Sequence, residues 1–379
     1  MQTTELTMMT PGACVSGKRL QRKPLPHRVA EAAIAAGAAL LLAVSAAATA
    51  APAPAPPAGP NDAMYMYKGA DRDAKLLEAA KKEGSVTLYT SLSSGESTPL
   101  IAAFEKKYGI KVNLWRAISD QVAQRAITEG RAHRYALDVI ETNGSEVEQA
   151  ARENLLSVFY SPSFADLPAD AFSSDHMWVS DRANFIVVAY NTNKIKKEDL
   201  PADYSGFLDP KWKGQVSIES SDIEWMATII KTLGQEKGMK LFQNLSATQP
   251  QMRAGHILLA QMVGAGEAPV ALTVYNGEVE SLKRKGTPID WAPVQPVIGR
   301  PQGLGVARNA PHPHAALLFA DFVLSTETQQ MYADLGRIPV SKKVKSKLNN
   351  FPHVMIDTAT VLDENDKWTK LWNSLFMRK

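Results

Sequence analysis

Between residues 85 and 154, strand-like and helix-like patterns alternate without a break, and this alternation limits the chain to few folds. Val86, Leu88 and Tyr89 are β-formers, and the hydroxyl-rich run 91–97 around Gly95 cannot pack as core. Thr98 is expected as an N-cap and Pro99 as the first residue of a helix. Its Leu100, Ile101, Phe104 and Tyr108 face inward, and Gly109 stops it. Residues 111–115 alternate as a second strand, and Ser119 caps a helix over 120–129 with Val122, Ala126 and Ile127 inward. A third strand spans 137–141, and Asn143-Gly144-Ser145 turns into a helix over 146–154. The order β-α-β-α-β implies a parallel sheet covered by helices, with ligands at the carboxyl ends of the strands. Here those ends are 90–97, 116–119 and 142–145.

The first fifty residues have a different purpose. Lys18, Arg19, Arg22, Lys23 and Arg28 precede an apolar run from 32 to 44 that ends at Ala48-Thr49-Ala50, the pattern of a cleaved secretory signal peptide over 1–50. Export to the periplasm follows, with cleavage near Ala50. Of 42 basic and 39 acidic residues, this leader holds five and two (Glu5 and Glu31), which leaves 37 of each in the mature chain. The net charge of +3 therefore belongs to the leader, and nothing favours nucleic acid or an anionic membrane as partner. The single cysteine, Cys14, leaves with the leader, which excludes disulfides, zinc-thiolate sites and a cysteine nucleophile. Residues 51–62, opening with APAPAPPAGP, form a Pro/Ala-rich disordered tether.

Beyond the alternating region, a helix opens at Asp73 and closes at Gly84 on the N-terminal side, while 178–180 and 185–190 form two strands of one sheet. A new unit begins with a strand at 215–218, the polar loop Glu219-Ser220-Ser221, and helices over 222–233, 236–245 and 256–263. The continuous apolar strand 268–274 ends at Tyr275-Asn276-Gly277, from which a helix runs to about residue 284. Strands at 289–293 and 303–306 return towards the first unit, and helices follow over 314–324, 326–335 and 366–377. Trp368, Leu371, Trp372 and Leu375 form a docking stripe on the last of these.

The patches LLEAAKKEGSVTLYTS, FEKKYGIKVNL, LDVIETNG, VVAYNTNKI, FLDPKWKGQVSI, GAGEAPVALTVYNG, GLGVARNAPHPHAALLFADFVLS and YADLGRIPV, in this order, resemble the periplasmic substrate-binding proteins of ABC importers, and in particular their ferric-iron-binding branch. The resemblance covers about residues 65–345. It implies an α/β, bilobal type II periplasmic-binding-protein-like fold, with two parallel-sheet lobes joined by crossing hinge strands. Lobe 1 is expected over 63–190, lobe 2 over 191–300, and a return to lobe 1 with C-terminal helices over 301–379. A small-molecule ligand is held between the lobes by hinge closure and passed to the importer's permease in the inner membrane. A monomer with no cofactor and no enzymatic activity is expected.

In the ferric-binding relatives, adjacent tyrosines stand at the end of the strand corresponding to 268–274, joined by a histidine and a glutamate. Here that position has Tyr275 followed by Asn276, and the first loop offers Thr90, Ser91, Ser93 and Ser94 with no histidine. The tyrosine cage is therefore incomplete. The expected ligand-binding residues are Thr90, Ser91, Ser93, Ser94, Arg116, Asn143, Glu219, Ser220, Ser221, Arg253, Tyr275 and Asn276, which suit a small organic anion or zwitterion. Two alternatives stand beside this reading. One is a ferric or ferric-anion receptor with Tyr275 as metal ligand; the other is a periplasmic enzyme on the same scaffold. Against the enzyme, the mature chain has no G-x-S-x-G, H-E-x-x-H or cysteine.

Overall fold

The computed structural model describes residues 58–377, so the leader and residues 51–57 of the tether lie outside the described residues. At the tether's end Asn61 already docks, its side-chain amide donating to the Arg308 carbonyl at 3.2 Å. In chain order the elements are α1 (Asp62–Tyr65), α2 (Arg72–Glu83), β1 (Ser85–Thr90), α3 (Ser94–Tyr108), β2 (Lys111–Arg116), α4 (Ser119–Arg131), β3 (Val139–Asn143), α5 (Gly144–Arg152), β4 (Leu156–Ser157) and β5 (Val179–Asn191). There follow β6 (Val216–Glu219), α6 (Ile223–Leu233), α7 (Gln235–Ala247), β7 (Gln251–Arg253), α8 (His256–Ala265), β8 (Val270–Tyr275), α9 (Asn276–Arg284) and β9 (Ile289–Ala292). The chain closes with β10 (Val297–Ala307), α10 (Pro313–Leu324), α11 (Thr326–Asp334), β11 (Ile338–Pro339), β12 (His353–Met355), α12 (Thr358–Asp363) and α13 (Asn365–Phe376).

The main sheet runs β2-β1-β3-β10-β5-β8-β6-β7. Two parallel blocks, β2-β1-β3 and β8-β6-β7, flank the long strands β5 and β10, which lie antiparallel to each other and to the block strands they meet. Each long strand pairs with one block and with the other long strand. Residues 302–306 of β10 pair with β3, while residues 186–190 of β5 pair with β8. The apolar residues divide accordingly: Val179, Leu304 and Val306 join a core with β1–β3, α2, α3 and α10, whereas Ile186, Val188, Tyr190 and Ile298 join one with β6, β8, α6 and α7. The middle of each long strand therefore lies between two cores, and that is where it carries charge.

Three local expectations differ from the structure. α3 begins at Ser94, not after Thr98, because Ser93 and Glu96 form a capping box ahead of both: the Ser93 backbone and hydroxyl donate to Glu96 Oε2 at 3.1 and 2.5 Å. Pro99 is consequently inside the helix. The expected turn at 143–145 is absent, since Asn143 ends β3 and caps α5 directly. The two strands expected at 178–190 are one, β5, because the polar stretch between them pairs with β10 and buries Asp181 and Arg182.

The C-terminal helix α13 packs on α6 and α7 through Trp368 and Trp372, both 1% exposed. The Trp372 indole donates to the Ser220 carbonyl at 2.9 Å, tying this helix to the loop after β6. No helix among the described residues is long and apolar enough to cross a membrane. Trp372→Ala is expected to destabilise the protein by about 3–5 kcal/mol through the cavity it leaves. Trp372→Phe, which keeps most of the packing and loses the hydrogen bond, is expected to cost about 1 kcal/mol. Urea denaturation followed by far-UV circular dichroism measures both; equal losses for the two variants would contradict this account.

Candidate functional site

The two parallel blocks turn the carboxyl ends of their strands, and hence the starts of the following helices, towards one cleft of about 690 Å³. Ser93, Ile118, Asn143 and Ser145 line it from α3, α4 and α5, and Ile223, Gly255 and Tyr275 from α6, α8 and α9. Helix starts carry unpaired N–H groups and a partial positive charge. Arg182, Asn184, Arg300 and Gln302, from the middle of β5 and β10, form the floor, and Val361, Leu362 and Asn365 of α12 and α13 add a wall.

The floor is an ionic network. Arg182 is 3% exposed and Arg300 7%, so each guanidinium needs partners. Arg182 donates to Glu141 at 2.5 Å and approaches Asp181 at 3.3 Å and Glu96 at 3.4 Å. Arg337 joins it, 3.0 Å from Glu96 and 2.9 Å from Glu278. Arg300 lies 3.3 Å from Asp222 and 3.0 Å from Glu224, and also donates to the Tyr275 hydroxyl. Burial opposes ionisation of Glu96, yet Arg182 and Arg337 hold its carboxyl below the usual range. Asp222 is likewise held low by His256 and Arg300 against the effect of burial. Asp181 is pushed up to about 7 by burial, which the adjacent Arg182 only partly offsets. Glu146 is pushed up to about 8, by burial first and then by the neighbouring Glu224, against Arg300. Burial also raises the Tyr275 phenol, with Arg300 opposing.

Of the residues expected from sequence, Ser91, Ser93, Arg116, Asn143, Glu219, Ser221 and Tyr275 line the cleft. Arg116 donates from Nε to the Leu92 carbonyl at 2.5 Å and has no ion pair to a carboxylate among the described residues. Asn143 accepts from the Gln302 amide at 3.1 Å. Glu219 shapes the second set of loops, one oxygen accepting from the Gly255 backbone at 2.9 Å and the other from the Ser221 backbone and hydroxyl at 2.6 and 2.7 Å.

The other five expected residues stand outside the lining, each for a visible reason. Thr90 is fully buried, its hydroxyl bonded to Glu141. Ser94 is exposed on the first turn of α3. Ser220 is held by its carbonyl to Trp372. Arg253 folds back on its own strand, 2.9 Å from the Met252 carbonyl and 2.8 Å from Gln251. Asn276 is buried and donates to the Leu348 carbonyl at 2.8 Å.

Arg182, Arg300, Arg337, Glu146, Glu224 and His256 were not among the expected residues. A signal for the first two exists: a charge in the middle of an apolar strand, as in VSDRANFIVVAY and VIGRPQGLGVA, has to be paired or functional. Glu219, Asp222 and His256 place one ligand atom each within 4.8 Å of one another, a set able to hold a metal ion. His256 lies on the Tyr275 ring at 4.0 Å between centroids; its Nδ1 bonds the Thr273 carbonyl at 3.1 Å, and its Nε2 faces Asp222 at 3.3 Å. Among the described residues, Tyr275 is the only tyrosine in the lining.

Comparison with known proteins adds the following. The family described as "Bacterial extracellular solute-binding protein" matches residues 99–355. The chain is 28% identical over 304 residues to Iron uptake protein A1 of Synechocystis sp., covering 73% of this chain and 83% of that one. It is 23% identical over 323 residues to the Major ferric iron-binding protein of Neisseria meningitidis, covering 80% and 97%. Among solved structures, iron-bound HitA from Pseudomonas aeruginosa aligns with a TM-score of 0.67 at 23% identity, covering 77% of this chain and 99% of that one. The periplasmic binding protein AfuA from Actinobacillus pleuropneumoniae, with fructose-6-phosphate bound, aligns with a TM-score of 0.68 at 20% identity, covering 78% and 99%. These likenesses establish the bilobal type II periplasmic-binding fold.

The raised carboxyls set a pH dependence. Glu146 at about 8 and Asp181 at about 7 bind protons in the folded state that ordinary carboxylates at 4.5 and 3.8 have released on unfolding. The folded state then holds more protons across this window, so stability falls as pH rises from about 4 to 8. Glu96 and Asp222, whose carboxyls are lowered, act only below it. Melting temperatures of the ligand-free protein from pH 5 to 9 are expected to decline, and Glu146→Gln to melt higher at pH 8 and flatten the decline above pH 6. A flat wild-type profile, or an unchanged slope in the variant, would count against the environment assigned to Glu146.

Proposed function

Because the chain belongs to the family of bacterial extracellular solute-binding proteins, we propose that it is the periplasmic receptor of an ABC importer, which closes its two halves on a small organic anion or zwitterion and delivers it to a membrane permease. The supporting observation is the convergence of the α3, α4, α5, α6, α8 and α9 starts on one cleft, beside an Arg116 guanidinium that makes no ion pair with a carboxylate among the described residues. The size of the cleft points the same way. About 690 Å³ suits a small organic molecule, whereas a bare metal ion needs a tight shell of ligand atoms at about 2 Å. In this reading the receptor acts as a monomer. Closure has to shift a balance of only a few kcal/mol between open and closed states.

A second reading, a ferric receptor, has its own support. Tyr275 stands in the cleft against His256, with Asp222 and Glu219 near, and relatives of this chain carry iron in their names. Against it, the Tyr275 hydroxyl is already bonded to Arg300, and burial raises its phenol, which opposes the phenolate that iron requires. A ferric ion completed by a bound anion such as citrate or carbonate remains the form of this reading that needs fewest protein ligands.

A thermal-shift series of small carboxylates, phosphonates and sugar phosphates tests the first reading, because a ligand that binds only the folded state raises the melting temperature. At least one organic anion is expected to do so, and Arg116→Ala to weaken its binding about tenfold or more. A visible tyrosinate-to-iron absorption band on adding ferric citrate, lost in Tyr275→Phe and with no response to iron-free anions, would replace the organic-anion reading with the ferric one.

A further inference from the structure

Carboxylates outnumber guanidiniums on the floor of the cleft. Asp222, Glu224 and Glu146 surround Arg300, and Glu96, Glu141, Asp181 and Glu278 surround Arg182 and Arg337. An excess of like charge away from water calls for a further cation or for protons. Most of these oxygens are already engaged by arginines, hydroxyls or backbone N–H groups. Among the described residues, the buried carboxylate oxygens without a hydrogen-bond partner are Glu146 Oε2, Asp222 Oδ2 and Asp321 Oδ1, and of the three residues only Glu146 lines the cleft.

Glu146 is in the first turn of α5, and the charged groups facing it are Glu224 on α6, Arg300 on β10 and Asp120 on α4. Glu224 also accepts the Ser145 hydroxyl across the cleft, so the two halves meet beside the Glu146 and Glu224 carboxyls. We propose that the ligand carries an ammonium group that seats against Glu146 and Glu224 while its anionic end lies towards Arg116, making the ligand a zwitterion. This rests on the organic-anion reading above and narrows it.

A monovalent ammonium fits this place better than a metal ion. Its N–H donors satisfy the free Oε2, and it adds a single positive charge. A trivalent ion there would lie against the Arg300 guanidinium, which already faces Glu224 at 3.0 Å. In the empty cleft a proton on Glu146 serves instead, consistent with its carboxyl being pushed up to about 8. The arriving ammonium displaces that proton.

The experiment is isothermal titration of the purified mature protein with matched pairs that differ only in the amine: 4-aminobutyrate and butyrate, 3-aminopropylphosphonate and propylphosphonate, glucosamine 6-phosphate and glucose 6-phosphate. The amino member of a binding pair is expected to bind about tenfold tighter or more than its partner. At pH 7 its apparent enthalpy is expected to change with the buffer's ionisation enthalpy, because a proton is released. Glu146→Gln and Glu146→Ala are both expected to erase the preference for the amine; using two variants, each checked by circular dichroism, guards against one that misfolds. A deaminated partner that binds as tightly as its amino counterpart overturns the zwitterion inference and leaves the organic-anion reading standing. Binding by no member of any pair, with a response to ferric citrate alone, overturns the organic-anion reading and this inference with it.

Discussion

Two guanidiniums buried in the middle of two long strands govern this structure. Arg182 on β5 and Arg300 on β10 lie where those strands leave one core and enter the other; Arg182 is compensated by carboxylates of α3, β3 and its own strand, and Arg300 by Asp222 and Glu224 at the start of α6. A buried cation stripped of its partners costs about 3–5 kcal/mol, so the strands and the helices bearing Glu96 and Glu224 have to adopt compatible positions. The same residues are the floor of the cleft. The device that holds the crossing strands in register is thus also the device that presents charge to a ligand.

Polar contacts join the two halves. Glu224 accepts from Ser145, Arg337 bridges Glu96 and Glu278, and Arg152 of α5 reaches Asp363 of α12 at 2.5 Å. Each is a polar contact that water replaces on opening, and the exposed Arg152–Asp363 pair is worth little net. A receptor needs that economy: strong apolar contact between the halves would lock it shut, and the absence of any contact would make closure depend wholly on the ligand. Glu146 adds a constraint of its own, because with an unpartnered oxygen and Glu224 beside it, its carboxyl is held uncharged by a proton. Under the zwitterion proposal, the ligand's ammonium takes that proton's place and adds to closure.

What could be read from the chain alone was local in origin. The helix-strand alternation, the glycine stop at Gly84, with its left-handed φ of 75°, and the apolar stripe of α13 follow from neighbouring residues. Loop positions at strand ends, such as Ser91, Asn143, Ser221 and Tyr275, followed from the α/β topology, which puts ligands there whatever the side chains. The capping box at Ser93 was hidden by a run of hydroxyls in which several residues make acceptable caps. Arg253 and Asn276 looked available because nothing in sequence tells whether a polar side chain at a strand end is already used. Arg253 turns to its own strand, and Asn276 to Leu348, far along the chain. Arg300 and Arg337 were missed for the converse reason: their carboxylates come from elements remote in sequence, and no spacing rule connects them.

The far wall of the cleft helps explain how one fold serves different ligands. Val361, Leu362 and Asn365 line it from α12 and α13, beyond residue 355 where the family match ends. This wall is anchored on the second core by Trp368 and Trp372, and Trp372 holds the Ser220 carbonyl in the loop that carries Glu219 and Ser221. A change in the C-terminal helices therefore alters both a surface that meets the ligand and the placement of a loop opposite the first-half hydroxyls. The crossing strands and their arginines need not change at all. Structural neighbours of nearly equal similarity were solved with iron and with fructose-6-phosphate. One fold therefore does not fix the ligand, and ligand chemistry has to be argued from the lining side chains and not from the fold.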